Sequence, residues 1–411
     1  MKRSSPHLRT RVTRRIAATA TAAAVGATLF LGSAPLAQAQ PTAKQGQACT
    51  TLGQVVRSGN SSLICGKLSG KQVWERVLAA TPVGSTNGQW VRWDPRACTY
   101  VPAPAPRNNR YVAYMRRTPS NTVFGLGTQG EGVALQDAFN LGWEQAVAQV
   151  GAQEVFANYR QSEGGAATIL EGARAIALRR PSAVTSWAGI QSVLPTMMDV
   201  YKSVCTPVVQ VTFPVEGSIS FGADNATVGR QQGNFLVEYL KEKRLDRGKV
   251  TAVGIRAPSI GADVNKRPDD CTATIKRSLP NVTISNVEVG SDQLSAAGAQ
   301  VKMSDWFTAN PAAATGTVVI CTIADIYAVG AGNAAKASGR VGQVFASGVA
   351  GSTEAVALIQ ANDPVFVGSV DFGFQNWGKV IVPLMMDSLE GKVVPRLSAP
   401  NVSVISAKTL R

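Results

Sequence analysis

From about residue 107 to the C-terminus, short runs of β-branched and aromatic residues alternate with longer stretches whose apolar positions recur every three or four residues. The first pattern predicts buried strands and the second amphipathic helices. Their alternation predicts an α/β fold with a parallel sheet covered by helices. Strands are predicted at residues 123–127, 155–159, 183–187 and 207–213, with helices at 133–150, 166–178 and 189–204. In the first helix Leu135, Ala138, Phe139, Ala146, Val147 and Val150 form the buried stripe. A short apolar run at 219–221 leads into a further helix. The pattern then restarts, with strands at 249–255, 282–289, 317–322, 342–346 and 365–370 and helices at 269–279, from Asp325, from Thr353 and over 377–389. Residues 45–76 break this rhythm. Their short apolar segments, separated by Ser-Gly-Asn-Ser-Ser and Ser-Gly-Lys, predict a small β-hairpin module. VPAPAP at 101–106 predicts an extended Pro-rich spacer. Trp90 and Trp93 are either exposed anchors for carbohydrate or core side chains, the commoner fate of tryptophan.

The N-terminus alters the charge reading. Lys2, Arg3, Arg9, Arg11, Arg14 and Arg15 precede an apolar, Ala-rich run at 16–31 and the small-x-small triplet Ala37-Gln38-Ala39. Residues 1–39 therefore read as a secretory signal, the run being too short for a lasting membrane span. Thr13-Arg14-Arg15 hints at twin-arginine export, but the residues after it fit Sec export better. The expected location is the periplasm, the cell envelope or the exterior. Setting aside those six basic residues lowers the formal net charge from +15 to +9. Such a protein can meet anionic wall polymers or lipid surfaces. With no dense Lys/Arg stripe, the charge reads first as a solubility feature, and no nucleic-acid partner is expected. The only histidine, His7, lies in the leader, so the mature chain has no Ser-His-Asp triad, Cys-His dyad or histidine-ligated zinc. No catalytic residue, metal or cofactor is assigned.

Six cysteines suit an oxidising compartment and allow 15 pairings. Cys49 and Cys65 share one small module and form the first expected bridge, a loop whose closure contributes roughly 3 kcal/mol. Cys271–Cys321 is the second choice, and Cys98–Cys205 follows by elimination. With no CxxC, zinc is the weaker alternative.

Residues 217–240, GSISFGADNATVGRQQGNFLVEYL, are the most informative stretch. An extended run passes through Asp224-Asn225, which can cap the helix that follows. Gly229 and Gly233 lie on one face of that helix, where a neighbouring backbone can approach closely. The segment resembles the first interdomain crossing of type I periplasmic sugar-binding proteins, the ribose-binding type that serves ABC transporters. Three more landmarks follow that family's order: Pro207-Val208-Val209 before it, Ile323-Ala324-Asp325-Ile326-Tyr327-Ala328-Val329-Gly330 after it, and Gly368-Ser369-Val370-Asp371 ahead of a helix containing Gly378. The resemblance implies a clamshell of two Rossmann-like lobes joined by a three-segment hinge and preceded by the small Cys-closed β module. The implied boundaries are 40–106 for module and spacer, 107–224 plus 371–393 for lobe 1, and 225–370 plus 394–411 for lobe 2. Asp224, Asn225 and Asp371 fall at the hinge. The implied partners of this monomer are a small-molecule ligand, a sugar or related metabolite, and an ABC permease in the membrane. A ligand sensor or envelope adaptor on the same clamshell is the alternative, motivated by the extra N-terminal module.

Ligands of open α/β sheets bind beyond the carboxyl ends of the strands. That rule nominates Gln129 and Glu131 after the first strand, Trp187 and Phe213 at later strand ends, and Asp371. The resemblance adds Arg267, near its ligand-facing arginine, and Asp325, where N-capping competes with ligation. Asp371 is either a hydrogen-bond acceptor for ligand or a hinge cap, and Gln129 and Glu131 belong to a loop that can simply be mobile. The family's Asp-Arg after the fourth strand is here Thr212-Phe213, its Asn before the Asp is Ala324, and the Asp of its G-x-D-G loop is Ala350. Three groups that usually grip hydroxyls are thus absent, which favours a less hydroxylated or more apolar ligand.

Overall fold

The computed structural model describes residues 43–86, 88–128, 134–311 and 313–410; the expected leader, Gln129 and Glu131 lie outside them. Three antiparallel strands open the described chain, β1 (Val55–Ser58), β2 (Ser61–Leu68) and β3 (Lys71–Arg76). Strands β4 (Ala79–Pro82), β5 (Trp90–Asp94), β6 (Thr99–Pro102) and β7 (Val112–Met115) follow; β5 and β6 form a hairpin and β4 pairs with β7. The stretch expected as a spacer thus begins inside β6, where Val101 pairs with Arg92. Trp90 and Trp93 are core side chains: Trp90 donates its indole N–H to Asn109 at 2.8 Å, and Trp93 packs edge-on against Tyr100.

The first lobe contains β8 (Val123–Thr128), α1 (Ala134–Val150), β9 (Gln153–Asn158), α2 (Gln161–Gly164), α3 (Ala166–Leu178), β10 (Ala183–Ser186), α4 (Leu194–Ser203), β11 (Val208–Val211) and β12 (Ile219–Phe221). The second contains α5 (Asn225–Glu242), β13 (Val250–Arg256), α6 (Ala262–Ser278), β14 (Thr283–Glu288), α7 (Ala296–Ala309), β15 (Thr317–Thr322), α8 (Asp325–Ala337), β16 (Val344–Ala350), α9 (Thr353–Gln360) and β17 (Phe366–Asp371). The chain returns through α10 (Gly378–Leu389), β18 (Val393–Pro395) and β19 (Leu397–Ser398), then ends in β20 (Ser403–Ser406). One six-stranded sheet runs β19-β12-β11-β10-β8-β9, wholly parallel, and the other β14-β13-β15-β16-β17-β20, antiparallel only at β20. The nearly continuous burial of β8, β10, β11, β15 and β16 is what a parallel strand covered on both faces requires. Separate apolar clusters occupy the two faces of each sheet, so each lobe is a three-layer sandwich. The α/β clamshell fold expected from the sequence is the one observed. The sheets place the third crossing between Ser398 and Ser403, a few residues past the expected boundary at 393–394.

Two helices and three short strands differ from expectation. Helix α6 starts at Ala262 rather than Asp269 and carries Pro268 inside it. Its opening turn is held by buried Asn265, whose amide bonds both backbone groups of Ala257 and the carbonyl of Gly261. Those bonds and the buried Val264 outweigh the break that a proline suggests. Helix α7 went unforeseen because Ala296-Ala297-Gly298-Ala299 blurs its apolar periodicity; its cap is Ser295, which accepts from Gly298 N at 3.1 Å. Strands β18 to β20 are too short to show a period.

All three expected disulfides are present: Cys49–Cys65, Cys98–Cys205 and Cys271–Cys321. The second fastens the β5–β6 hairpin to the turn after α4. A buried charge cluster makes a further seam between the N-terminal strands and the lobe. Arg116, 1% exposed just past β7, sets Nη2 2.8 Å from Asp387 and 2.5 Å from Glu390, both at the end of α10. Lys392 reaches the same carboxylates at 2.8 and 3.0 Å, and Tyr111 donates to Asp387 at 2.7 Å. Burial opposes charge on Arg116, but the facing carboxylates hold its pKa above the ordinary value.

The α5–α6 contact depends on the two glycines singled out in the sequence. A Cβ on Gly229 would lie 2.3 Å from the Arg267 carbonyl oxygen, and one on Gly233 2.6 Å from that of Cys271. Backbone cannot retreat as a flexible side chain can. Gly229→Val is expected to destabilise the protein by about 2–3 kcal/mol or more in urea unfolding, whereas Val at exposed Gly248, which meets nothing within 4 Å, should have little effect.

Candidate ligand-binding site

Several strand ends and one hinge crossing converge on an aromatic cluster. Trp187, immediately after β10, stacks on Phe374 with centroids 5.5 Å apart and lies 6.0 Å from Trp377. Phe374 and Trp377 are 4.6 Å apart, while Phe139, Phe221 and Phe372 close the cluster edge-on or stacked. The indole N–H of Trp377 is satisfied by the Phe372 carbonyl at 2.8 Å. Trp187 is 8% exposed and Phe374 7%, so little of the cluster reaches solvent. Two non-glycine residues at strand ends here hold positive φ, Thr212 at 79° and Ala350 at 123°. Strained backbone of this kind persists only where its surroundings enforce it, and it gathers at binding sites.

The carboxylates below the floor explain the glycines opposite them. Asp325 is 2% exposed; Oδ1 accepts from Ser369 Oγ at 2.6 Å and Oδ2 from Ser352 N at 2.7 Å. It caps the approach to α9 and leaves its own helix without a side-chain cap. A Cβ on Gly348 would fall 2.0 Å from Asp325 Oδ1, and one on Gly351 2.5 Å from Asp371 Oδ1. Asp371, partly buried, accepts from Gly373 N at 2.8 Å. Burial pushes both carboxyls above the ordinary range, against the hydrogen bonds they accept.

Arg267 binds the hinge from lobe 2. Its Nε donates to Asn225 Oδ1 at 2.7 Å, Nη1 donates to the Ile323 carbonyl at 2.8 Å, and the guanidinium lies 5.1 Å from the Phe372 ring centre. Burial pulls this guanidinium down to about 10. Asn225 also donates to Asp263 at 2.6 Å. Asp224 caps α5, accepting from Thr227 N at 3.1 Å and Thr227 Oγ1 at 2.8 Å, and these bonds hold its carboxyl below the usual range although burial opposes them.

A fourth strand of chain lies along the hinge. Gly84 N donates to the Ala399 carbonyl at 2.9 Å, Ala399 N returns a bond to Ser85 at 3.0 Å, and Asn401 donates to the Pro82 carbonyl. Ser85 Oγ reaches Asp224 Oδ2 at 3.2 Å, so this strap touches the first and third crossings together. A cavity of about 350 Å³ opens beside it, lined by Ser85, Thr212, Ser220, Asp224, Asp263 and Lys266 among others.

Of the residues nominated from sequence, Trp187 belongs to the aromatic floor, whereas Asp371, Arg267 and Asp325 have polar atoms engaged with protein partners. Phe213 is half-buried and packs instead with the cluster beneath α3 and α4. Phe372, Phe374 and Trp377 were not nominated, although Asp-Phe-Gly-Phe-Gln-Asn-Trp, with three aromatics in seven residues after a strand, is a signal that could have found them.

Residues 124–393 match the family described as periplasmic binding protein domain, well over half of the chain, and the chain belongs to that family of solute-binding proteins, which are not enzymes. Its type I fold is shared with solved sugar-binding proteins. An ABC transporter periplasmic solute binding protein from Actinobacillus succinogenes 130z with bound D-allose is 13% identical, covers 70% of this chain and 98% of its own, and superposes with a TM-score of 0.58. AraP, an arabinose binding protein from Geobacillus stearothermophilus, is 14% identical over 71% of this chain and 98% of its own, with a TM-score of 0.58. A Mycobacterium smegmatis protein in complex with β-D-fucofuranose is 16% identical over 70% and 92%, with a TM-score of 0.54. No curated protein sequence matches the chain.

Replacing Arg267 by Leu leaves Asn225 Oδ1 and the Ile323 carbonyl short of a buried donor. The expected cost is about 2–4 kcal/mol in urea unfolding, against less than half that for Lys266→Leu, whose exposed ammonium meets only Asp263.

Proposed function

We propose that this protein is exported and captures a small solute, a sugar or related metabolite, between its two lobes by hinge closure, delivering it to an ABC permease. We divide the lobes as 107–224 plus 371–398 and 225–370 plus 399–411, following the strand order of the two sheets. The observation that supports this reading best is the aromatic floor of Trp187, Phe374 and Trp377 set between two parallel-sheet lobes of the periplasmic binding protein family. A ring edge or face takes the apolar side of a sugar or a planar ligand. The solute lowers the energy of the closed arrangement only by contacting both lobes, so affinity and closure rise together. Asp371 supplies an acceptor from the second crossing. With Ala350, Ala324 and Thr212 in place of the family's ligand groups, a deoxysugar or a planar metabolite fits better than a fully hydroxylated hexose.

Isothermal calorimetry against furanoses, deoxysugars, polyols and planar metabolites tests the proposal. One member is expected to bind at micromolar Kd or tighter and to shrink the radius of gyration in solution scattering. Turnover of any panel member, or a radius indifferent to all of them, would refute it. Trp187→Ala should weaken that ligand by about tenfold or more.

The acidity of Asp371 gives a pH signature. An ionised carboxylate accepts from ligand hydroxyls, so affinity should decline as pH falls through its raised pKa, beginning above the ordinary carboxylate range. Asp371→Asn should flatten that profile. Stability follows the opposite sign: a folded pKa above the unfolded one favours the folded state at low pH, and this contribution fades as pH rises from the unfolded through the folded value.

A further inference from the structure

The positive charge of this protein is segregated. Residues 43–117 hold eleven Lys and Arg against two Asp and Glu, whereas residues 118–411 hold 24 of each. The lobes are formally neutral, and the N-terminal strands carry the whole net charge of the chain after the leader. Ten of the eleven cations are exposed: Lys44, Arg57, Lys67, Lys71, Arg76, Arg92, Arg96, Arg107, Arg110 and Arg117. The eleventh, Arg116, is the one buried with Asp387 and Glu390. Glu75 is buried too, and Asp94 accepts from the backbone of Arg96. Among the described residues none of the ten exposed cations forms an ion pair. With ten bases exposed, one acid buried and the other bonded to backbone, the segment presents a surface of one sign.

We propose that this N-terminal region docks the protein onto an anionic phosphodiester polymer of the cell envelope. The proposal rests on export, but not on the identity of the captured solute. Two features favour a polymer over a bilayer, and a third favours phosphate. Among the described residues of this region only Val55 is an exposed large apolar side chain, which gives little to insert into lipid. The cations are not on one plane: by strand register Lys67 and Arg76 lie on one side of the three-stranded sheet, and Arg57 and Lys71 on the other. A flexible chain can follow such a surface, whereas a flat membrane meets one side of it. Seven of the ten are arginines, whose planar fork takes phosphate oxygens in pairs. The disulfide Cys98–Cys205 and the Arg116 cluster then hold the docked region to lobe 1.

The test uses the oxidised chain from residue 40 and soluble poly(glycerol phosphate). Binding is read by affinity electrophoresis across a salt series. Hyaluronate, oligothymidylate and equimolar phosphatidylglycerol–phosphatidylcholine vesicles run alongside. Wild type is expected to bind the polymer with a Kd that rises by about tenfold or more from low to physiological salt. A variant with Lys44, Lys67, Lys71, Arg57 and Arg76 changed to Gln should lose about tenfold or more at fixed salt. Changing five lobe cations, Arg179, Arg180, Lys202, Lys241 and Arg247, to Gln should leave binding intact. Equal loss in both variants, equal affinity for hyaluronate, tighter binding to oligothymidylate, or binding to vesicles alone would each overturn the proposal. Should the first variant fail to fold, polymer protection of wild-type Lys44, Lys67 and Lys71 from acetylation, compared with Lys202 and Lys241, decides the matter: selective protection supports it and uniform labelling refutes it. A panel that yields no solute would sink the proposed transport role and leave this result standing.

Discussion

The guanidinium of Arg267 ties together the chain segments at two of the three crossings between the lobes. It reaches from α6 to the first residue of α5, to the end of β15 and to the face of Phe372. Two of the three crossings between lobes, at Asp224-Asn225 and at Asp371-Phe372, are therefore referred to one partly buried cation. Burial at that depth is unfavourable for charge and draws the group toward neutrality. Two hydrogen bonds and an aromatic ring offset it. The Gly229 and Gly233 contacts let α5 and α6 come close enough for that arrangement to form. Local backbone approach, hinge geometry and the floor of the cleft thus follow from a few residues around one helix pair.

The fold was largely legible because parallel strands covered on both faces read as continuous apolar runs, and these lobes contain many of them. The runs at 317–322 and 219–221 coincide with β15 and β12. The helix at 166–178 coincides with α3. The failures share a cause, since each involves a segment held by something other than a repeating apolar face. Helix α6 begins early because Asn265 knits its first turn to Ala257. Helix α7 relies on small residues, and β18 to β20 exist only as partners for strands far away in sequence.

The site was less legible than the fold. Trp187 follows β10 and Asp371 ends β17. Arg267 and Asp325 were nominated as ligand contacts, and both are engaged within the protein. A sequence shows that a charged residue lies near a strand end, but not whether a serine, an asparagine or a carbonyl meets it first. Asp325 illustrates this, because its partners Ser352 and Ser369 come from two later segments. The pairing of six cysteines came out as expected because the small module offered one local bridge and left few alternatives.

The strap from Pro82 to Ser85 has a mechanical consequence. It is bonded at once to the first and third crossings, and the strands on either side of it belong to the N-terminal region. Under the closure proposed above, tension applied to that region would act directly on two of the crossings between the lobes. Gripping the protein by its N-terminal end would then bias that closure, making the handle and the latch parts of one lever.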